Sequence, residues 1–144
     1  MRKAAFVMGL VMAGALLPLA QAGTAQAASV TYKATLSSAS EVPPVTGAGS
    51  GTAAVNVDTT TKQISWRVDY SGLSGPATAA HIHCGAAAGA NAGVAVPLPN
   101  PVSPIQGSGM MTDAQMAELE AGKCYVNIHT EKNKGGELRG QLAK

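Results

Sequence analysis

The residues best suited to chemistry stand in two short segments. In "AHIHC", residues 80–84, His81 and His83 flank an isoleucine and Cys84 follows at once; in "CYVNIHT", residues 124–130, Cys124 precedes His129 by five positions. Together they hold all three histidines and both cysteines of the 144-residue chain. Neutral imidazoles bind copper or zinc, and three of them on one ion leave a position open for water, a carboxylate or a substrate. The plainer alternative is that the histidines only hydrogen-bond. Little else competes. There is no Gly-x-Ser-x-Gly turn, no Walker-type loop and no recognisable pair among the eight carboxylates. The glycines of "GAAAGANAG", residues 85–93, precede no helix start, so they read as a flexible surface loop rather than a phosphate cradle.

The chain begins with Arg2 and Lys3, an apolar run from Ala4 to about Ala20, and the small-residue sites Ala20-Gln21-Ala22 and Ala25-Gln26-Ala27. This is the layout of a secretory signal peptide over residues 1–27. Pro18 and the polar stretch that follows argue against a retained anchor, so no membrane span is expected after cleavage. The mature domain is expected over residues 28–144, in the periplasm or secreted. Losing Arg2 and Lys3 takes the formal charge from +2 to 0, with eight basic and eight acidic residues left. No basic patch of nucleic-acid type survives, and Lys132 and Lys134 beside Glu131 and Glu137 read as a solvated turn. In an oxidising compartment two cysteines are more often a disulfide than a metal or redox site, so Cys84 and Cys124 are expected to pair.

Period-two alternation dominates the elements that must position these groups. "SVTYKATL" sets Val30, Tyr32, Ala34 and Leu36 against Thr31, Lys33 and Thr35, and "GTAAVNVD" and "QISWRVDY" repeat the pattern. Further strands are expected at 78–84, 93–98, 105–110, 123–129 and 137–142, between Gly, Pro, Asn and Ser clusters. About eight short strands with one short helix predict an all-β, antiparallel Greek-key sandwich or barrel. The helix lies in "MTDAQMAELEAG", where Thr112 is the N-cap, Gln115 completes a capping box, Met111 and Met116 form a staple, and Gly122 ends the helix. Methionines at helical spacing pack a core rather than bind copper.

Side chains alternate along a strand, so His81 and His83 share one face, and Tyr125, Asn127 and His129 share one face of theirs. Ile82, Cys84, Cys124, Val126 and Ile128 take the opposite side. If the two strands are antiparallel neighbours with Cys84 opposite Cys124, Ile82 meets Val126, Ala80 meets Ile128, and His129 lies diagonal to His81 at roughly 7–8 Å. His81, His83 and His129 are then a candidate metal site.

Three longer stretches, "SEVPPVTGAGSGTA" (40–53), "GLSGPATAAHIHCGAAAGANAGVAVPL" (72–98) and "LEAGKCYVNIHTEKNKGGELRGQL" (119–142), resemble the chordin-type, or CHRD, domain. The resemblance implies a secreted or surface β-domain. The residue after the family's His-Ile-His is more often glycine or another small residue, so a Cys84–Cys124 bridge would be a local addition. Glu41, from the family's Glu-Val-Pro-Pro segment, either supplies a carboxylate near the site or caps a loop held extended by Pro43 and Pro44. More loosely, the His-x-His strand, His129 and Arg139 are similar to the copper side of Cu,Zn superoxide dismutase. That likeness implies copper on His81, His83 and His129, with Arg139 guiding an anion; it lacks the bridging histidine and the zinc loop.

Three functions follow as expectations. The first is an exported metal-binding module, for copper before zinc, used in sequestration, delivery or protection. The second is a structural or adhesive domain with a protein or cell-surface partner, and the third is a dismutase-like copper enzyme. The Ala, Gly and Val surroundings of the histidines weigh against demanding catalysis.

Overall fold

A computed structural model describes residues 28–144. The signal peptide expected over residues 1–27 lies outside the described residues. Eight antiparallel strands form one sheet: β1 (Ser29–Ser37), β2 (Ser50–Asp58), β3 (Gln63–Ser71), β4 (Ala77–Cys84), β5 (Val94–Pro97), β6 (Ile105–Met110), β7 (Cys124–Thr130) and β8 (Leu138–Gln141). One helix, α1 (Asp113–Glu120), separates β6 from β7, and a short 3₁₀ turn, Ser38–Ser40, follows β1. The strand order β5-β4-β7-β8-β1-β2-β3-β6 curls into a nearly closed barrel. At the seam α1 bridges to β5, Gln115 Nε2 donating to the Ala95 carbonyl at 3.1 Å.

Alternation explains the strands. In β1 to β3 every second residue is buried, and Leu36, Val55, Val57 and Val68 reach 0 % exposure inside the barrel. Thr31, Lys33, Thr35, Thr52 and Arg67 face out into solvent. The helix is set by its ends. Thr112 and Gln115 form the capping box, at 3.2 Å for Gln115 N–H to Thr112 Oγ1 and 2.9 Å for the return bond. Gly122, at φ +72, provides the left-handed step after the helix, with Gly122 N–H bonding Leu119 O and Lys123 N–H bonding Glu118 O. Met111 and Leu119 are buried in the core and Met116 packs against it. No helix among the described residues is long and apolar enough to cross a membrane.

The pairing of β4 with β7 follows the parity argument position by position: Cys84 opposite Cys124, Ile82 opposite Val126, Ala80 opposite Ile128. Cys84 and Cys124 form a disulfide. The apolar members of both strands enter the barrel, so the histidines stand on its outer surface.

Candidate metal centre

On β4 and β7, His81 is paired with Asn127, His83 with Tyr125 and Ala79 with His129, which leaves His129 diagonal to His81. Same-face alternation thus brings together three rings that are 48 residues apart in sequence between His81 and His129. His81 Nδ1 lies 3.1 Å from His129 Nε2, and ring centroids are 5.6 Å apart for His81 and His83 and 6.2 Å for His83 and His129. One nitrogen from each ring falls within 4.8 Å of the others.

Their hydrogen bonds fix which nitrogen is free. His83 Nδ1 is 2.9 Å from the Ala92 carbonyl and His129 Nδ1 is 2.9 Å from the Lys134 carbonyl. A carbonyl only accepts, so both Nδ1 atoms carry a proton, and in the neutral form of each ring Nε2 then carries the lone pair. His83 Nε2 is buried and has no hydrogen-bond partner. With His129 Nε2 an acceptor, His81 Nδ1 donates to it. Burial, then the neighbouring His129 and His83, pushes His81 below the usual imidazole range. Burial also lowers His83, opposed by its bond to Ala92. Neutral rings are the ligand form.

The set fits a metal ion. Two nitrogens each about 2.1 Å from one ion can be at most about 4.2 Å apart. The widest separation therefore has to shrink by roughly half an ångström, within reach of small ring rotations. The orphaned His83 Nε2 is the atom such an ion would satisfy.

The expected flexible loop 85–93 is exposed at most positions, yet it is tied down over His83. Arg139 NH1 donates to Asn91 Oδ1 at 3.0 Å and NH2 to Ala90 O at 2.6 Å. Gln141 Nε2 donates to Ala86 O at 3.0 Å, and Asn91 Nδ2 to Val42 O at 2.8 Å. Ala92 N–H donates to the Tyr125 hydroxyl at 3.1 Å. Composition marks such a loop as unconstrained because its anchors come from β7, β8 and the segment after β1, far away in sequence.

Arg139 and Glu41 do not touch the imidazole cluster directly. Arg139, 1 % exposed, points its guanidinium into the loop and over the Tyr125 ring, 3.6 Å from the centroid. Glu41 is buried and accepts from Asn127 Nδ2, which also donates to Leu138 O at 2.9 Å. Burial raises the Glu41 carboxyl to about 7, against the lowering pull of Asn127 and Arg139. Gly136, at φ +131, makes room for this pair: a Cβ there would lie 2.5 Å from Asn127 Nδ2 and 2.6 Å from Glu41 Oε1. Sequence reasoning missed the parts played by Tyr125, Asn127 and Glu137. The first two were signalled only by sharing His129's parity, and Glu137 only by the "GELRGQ" stretch.

Cavities of about 290–540 Å³ open elsewhere on the described surface, and none of these five is lined by His81, His83 or His129. His81 and His129 are partly exposed while His83 is 8 % exposed. The cluster is therefore open to solvent at His81 and His129 and enclosed at His83.

Among known protein families, the model of the CHRD domain matches residues 32–142. No curated protein and no solved structure matches the chain.

Proposed function

The chain belongs to the CHRD domain family, and from that premise we propose that it is an exported metal-binding module whose ligands are His81, His83 and His129. Copper is the first candidate ion and zinc the second, since all-imidazole sets suit both. The observation that carries this reading is the convergence of three imidazoles, one nitrogen of each within 4.8 Å of the others, together with a buried, unpartnered Nε2 on His83. The Cys84–Cys124 disulfide is consistent with an oxidising compartment, periplasmic or secreted.

When bound, the ion supplies Lewis acidity or a redox centre at an open coordination position. The protein's own part is to present neutral rings. His83 and His129 offer Nε2 without any proton shift, and His81 does the same through Nε2; binding through the Nδ1 that faces His129 requires that proton to leave or move to Nε2. A site partly open to solvent at His81 and His129 favours sequestration or hand-over of the ion to a partner above turnover of a small substrate. The dismutase-like alternative has less support, because Arg139 is buried and engaged with loop carbonyls and Tyr125, where it cannot guide an anion from solvent.

The test is titration of the purified protein with Cu(I), Cu(II) and Zn(II) beside a triple His81→Ala, His83→Ala, His129→Ala variant. One-to-one binding that is lost in the variant is expected. Absence of binding, or equal binding by the variant, overturns the proposal and leaves a disulfide-linked surface domain.

A further inference from the structure

Arg139 is the largest fully buried side chain of the described residues, and no carboxylate lies within ion-pair distance of it among them. A buried charge is costly unless its surroundings compensate it. Here the compensation comes from Ala90 O at 2.6 Å, Ala87 O at 3.5 Å, Asn91 Oδ1 at 3.0 Å and the face of Tyr125 at 3.6 Å, with the Glu41 carboxyl acting from beyond ion-pair distance. All the hydrogen-bonding partners belong to the 85–93 loop. That loop delivers the Ala92 carbonyl to His83 Nδ1, and Ala92 is also bonded to Tyr125 through both its N–H and its carbonyl. The Tyr125 ring stacks on His83, with centroids 4.8 Å apart and planes 2° from parallel. Since β7 lies between β4 and β8, Tyr125 has His83 on one side and Arg139 on the other.

We propose that Arg139 is a positioning residue for His83. By holding the 85–93 loop and the plane of Tyr125, it locks His83 in the tautomer protonated at Nδ1 and so keeps Nε2 free as a ligand atom. His129 is held separately, by Lys134 O of the β7–β8 loop, so the effect is confined to one of the three rings. The inference rests on the metal-site reading for its consequence, but its structural core concerns the metal-free protein. Removing the guanidinium leaves the loop tied through Gln141, Val42 and Tyr125, so its hold on the Ala92 carbonyl loosens and His83 gains access to the other tautomer.

The experiment compares the wild type with Arg139→Met, Arg139→Lys and Asn91→Ala by two readouts. Long-range nitrogen–proton correlation spectra of the metal-free protein report the tautomer of each histidine, and Cu(II) titration reports affinity. The wild type is expected to show His83 protonated at Nδ1 alone. Arg139→Met is expected to show a mixture at His83 with His129 unchanged, and a Cu(II) affinity at least about 10-fold weaker, the usual size of such outer-shell effects. Arg139→Lys keeps the charge but lacks the fork, so it restores little. Asn91→Ala, at an exposed loop position, gives a smaller shift in the same direction and stands in if the Arg139 variants do not fold. Val57→Ala, on the far side of the barrel, serves as the control that lowers stability without moving the His83 tautomer. A single Nδ1-protonated His83 in folded Arg139→Met or Asn91→Ala overturns the proposal, as does an equal tautomer shift in Val57→Ala. If the wild type binds no Cu(II), the metal-site reading fails, while the tautomer comparison still decides the role of Arg139.

Discussion

Replacing Glu137 with glutamine tests the polar anchoring of the sheet most directly. The Glu137 carboxylate, in a residue only 2 % exposed, accepts four hydrogen bonds. Ser74 N–H reaches Oε1 at 2.7 Å, and the Ser74 hydroxyl, the Thr130 hydroxyl and Asn133 Nδ2 reach Oε2 at 2.6, 2.6 and 2.9 Å. Desolvation pushes this carboxyl up, but the donors outweigh it and hold it at about 2 instead of 4.5. The folded state therefore binds the proton less tightly than the unfolded chain. Its contribution is complete above pH 4.5 and is lost as pH falls toward 2. At about 1.4 kcal/mol per pH unit this amounts to about 3 kcal/mol. Glutamine removes the charge and puts an NH₂ group among donors. Urea unfolding with the disulfide intact should show Glu137→Gln about 3 kcal/mol less stable at pH 7, with the gap to wild type closing between pH 4.5 and 2. A gap below about 1 kcal/mol at pH 7, or one that stays constant down to pH 2, refutes the reasoning.

Glu41 has the opposite sign. Its carboxyl is raised to about 7, so the folded state holds the proton more tightly and wild-type stability falls as pH rises from 4.5 to 7. Glu41→Gln should match wild type below pH 4.5 and exceed it by up to about 3 kcal/mol above pH 7, as read by unfolding at both ends of that window. Gly136→Ala should destabilise by about 1–3 kcal/mol in the same assay, because the new Cβ meets Asn127 and Glu41 at a φ that disfavours it. Cys84→Ser paired with Cys124→Ser should cost about 2–4 kcal/mol by urea unfolding, since the bridge closes a loop with a sequence separation of 40.

The readings that held depended on short-range rules. Strands β1, β2 and β3 were legible from alternation, and α1 from Thr112, Gln115 and Gly122, because pleat and caps are set by residues within a few positions of each other. Even the β4–β7 register was accessible. One cross-strand cysteine pair plus a period of two leaves a single alignment that buries Ile82, Val126 and Ile128 together. That alignment carries His81, His83 and His129 to one face of the sheet.

What covers that face was decided only by the tertiary structure. Arg139 became buried because the 85–93 loop, about fifty residues earlier in the chain, folds over it, and Glu41 meets Asn127 across 86 residues. The sequence marked Arg139 and Glu41 as polar neighbours of a possible site, but not that each would be enclosed. The donors around Glu137 likewise come from the β3–β4 connection, β7 and the turn after it. Alternation assigns a side chain to one face of its own strand and carries no information about loops arriving from elsewhere. The amino-acid sequence therefore determined which side of the sheet holds the histidines, and long-range packing determined the tautomers, partners and exposure with which they are presented.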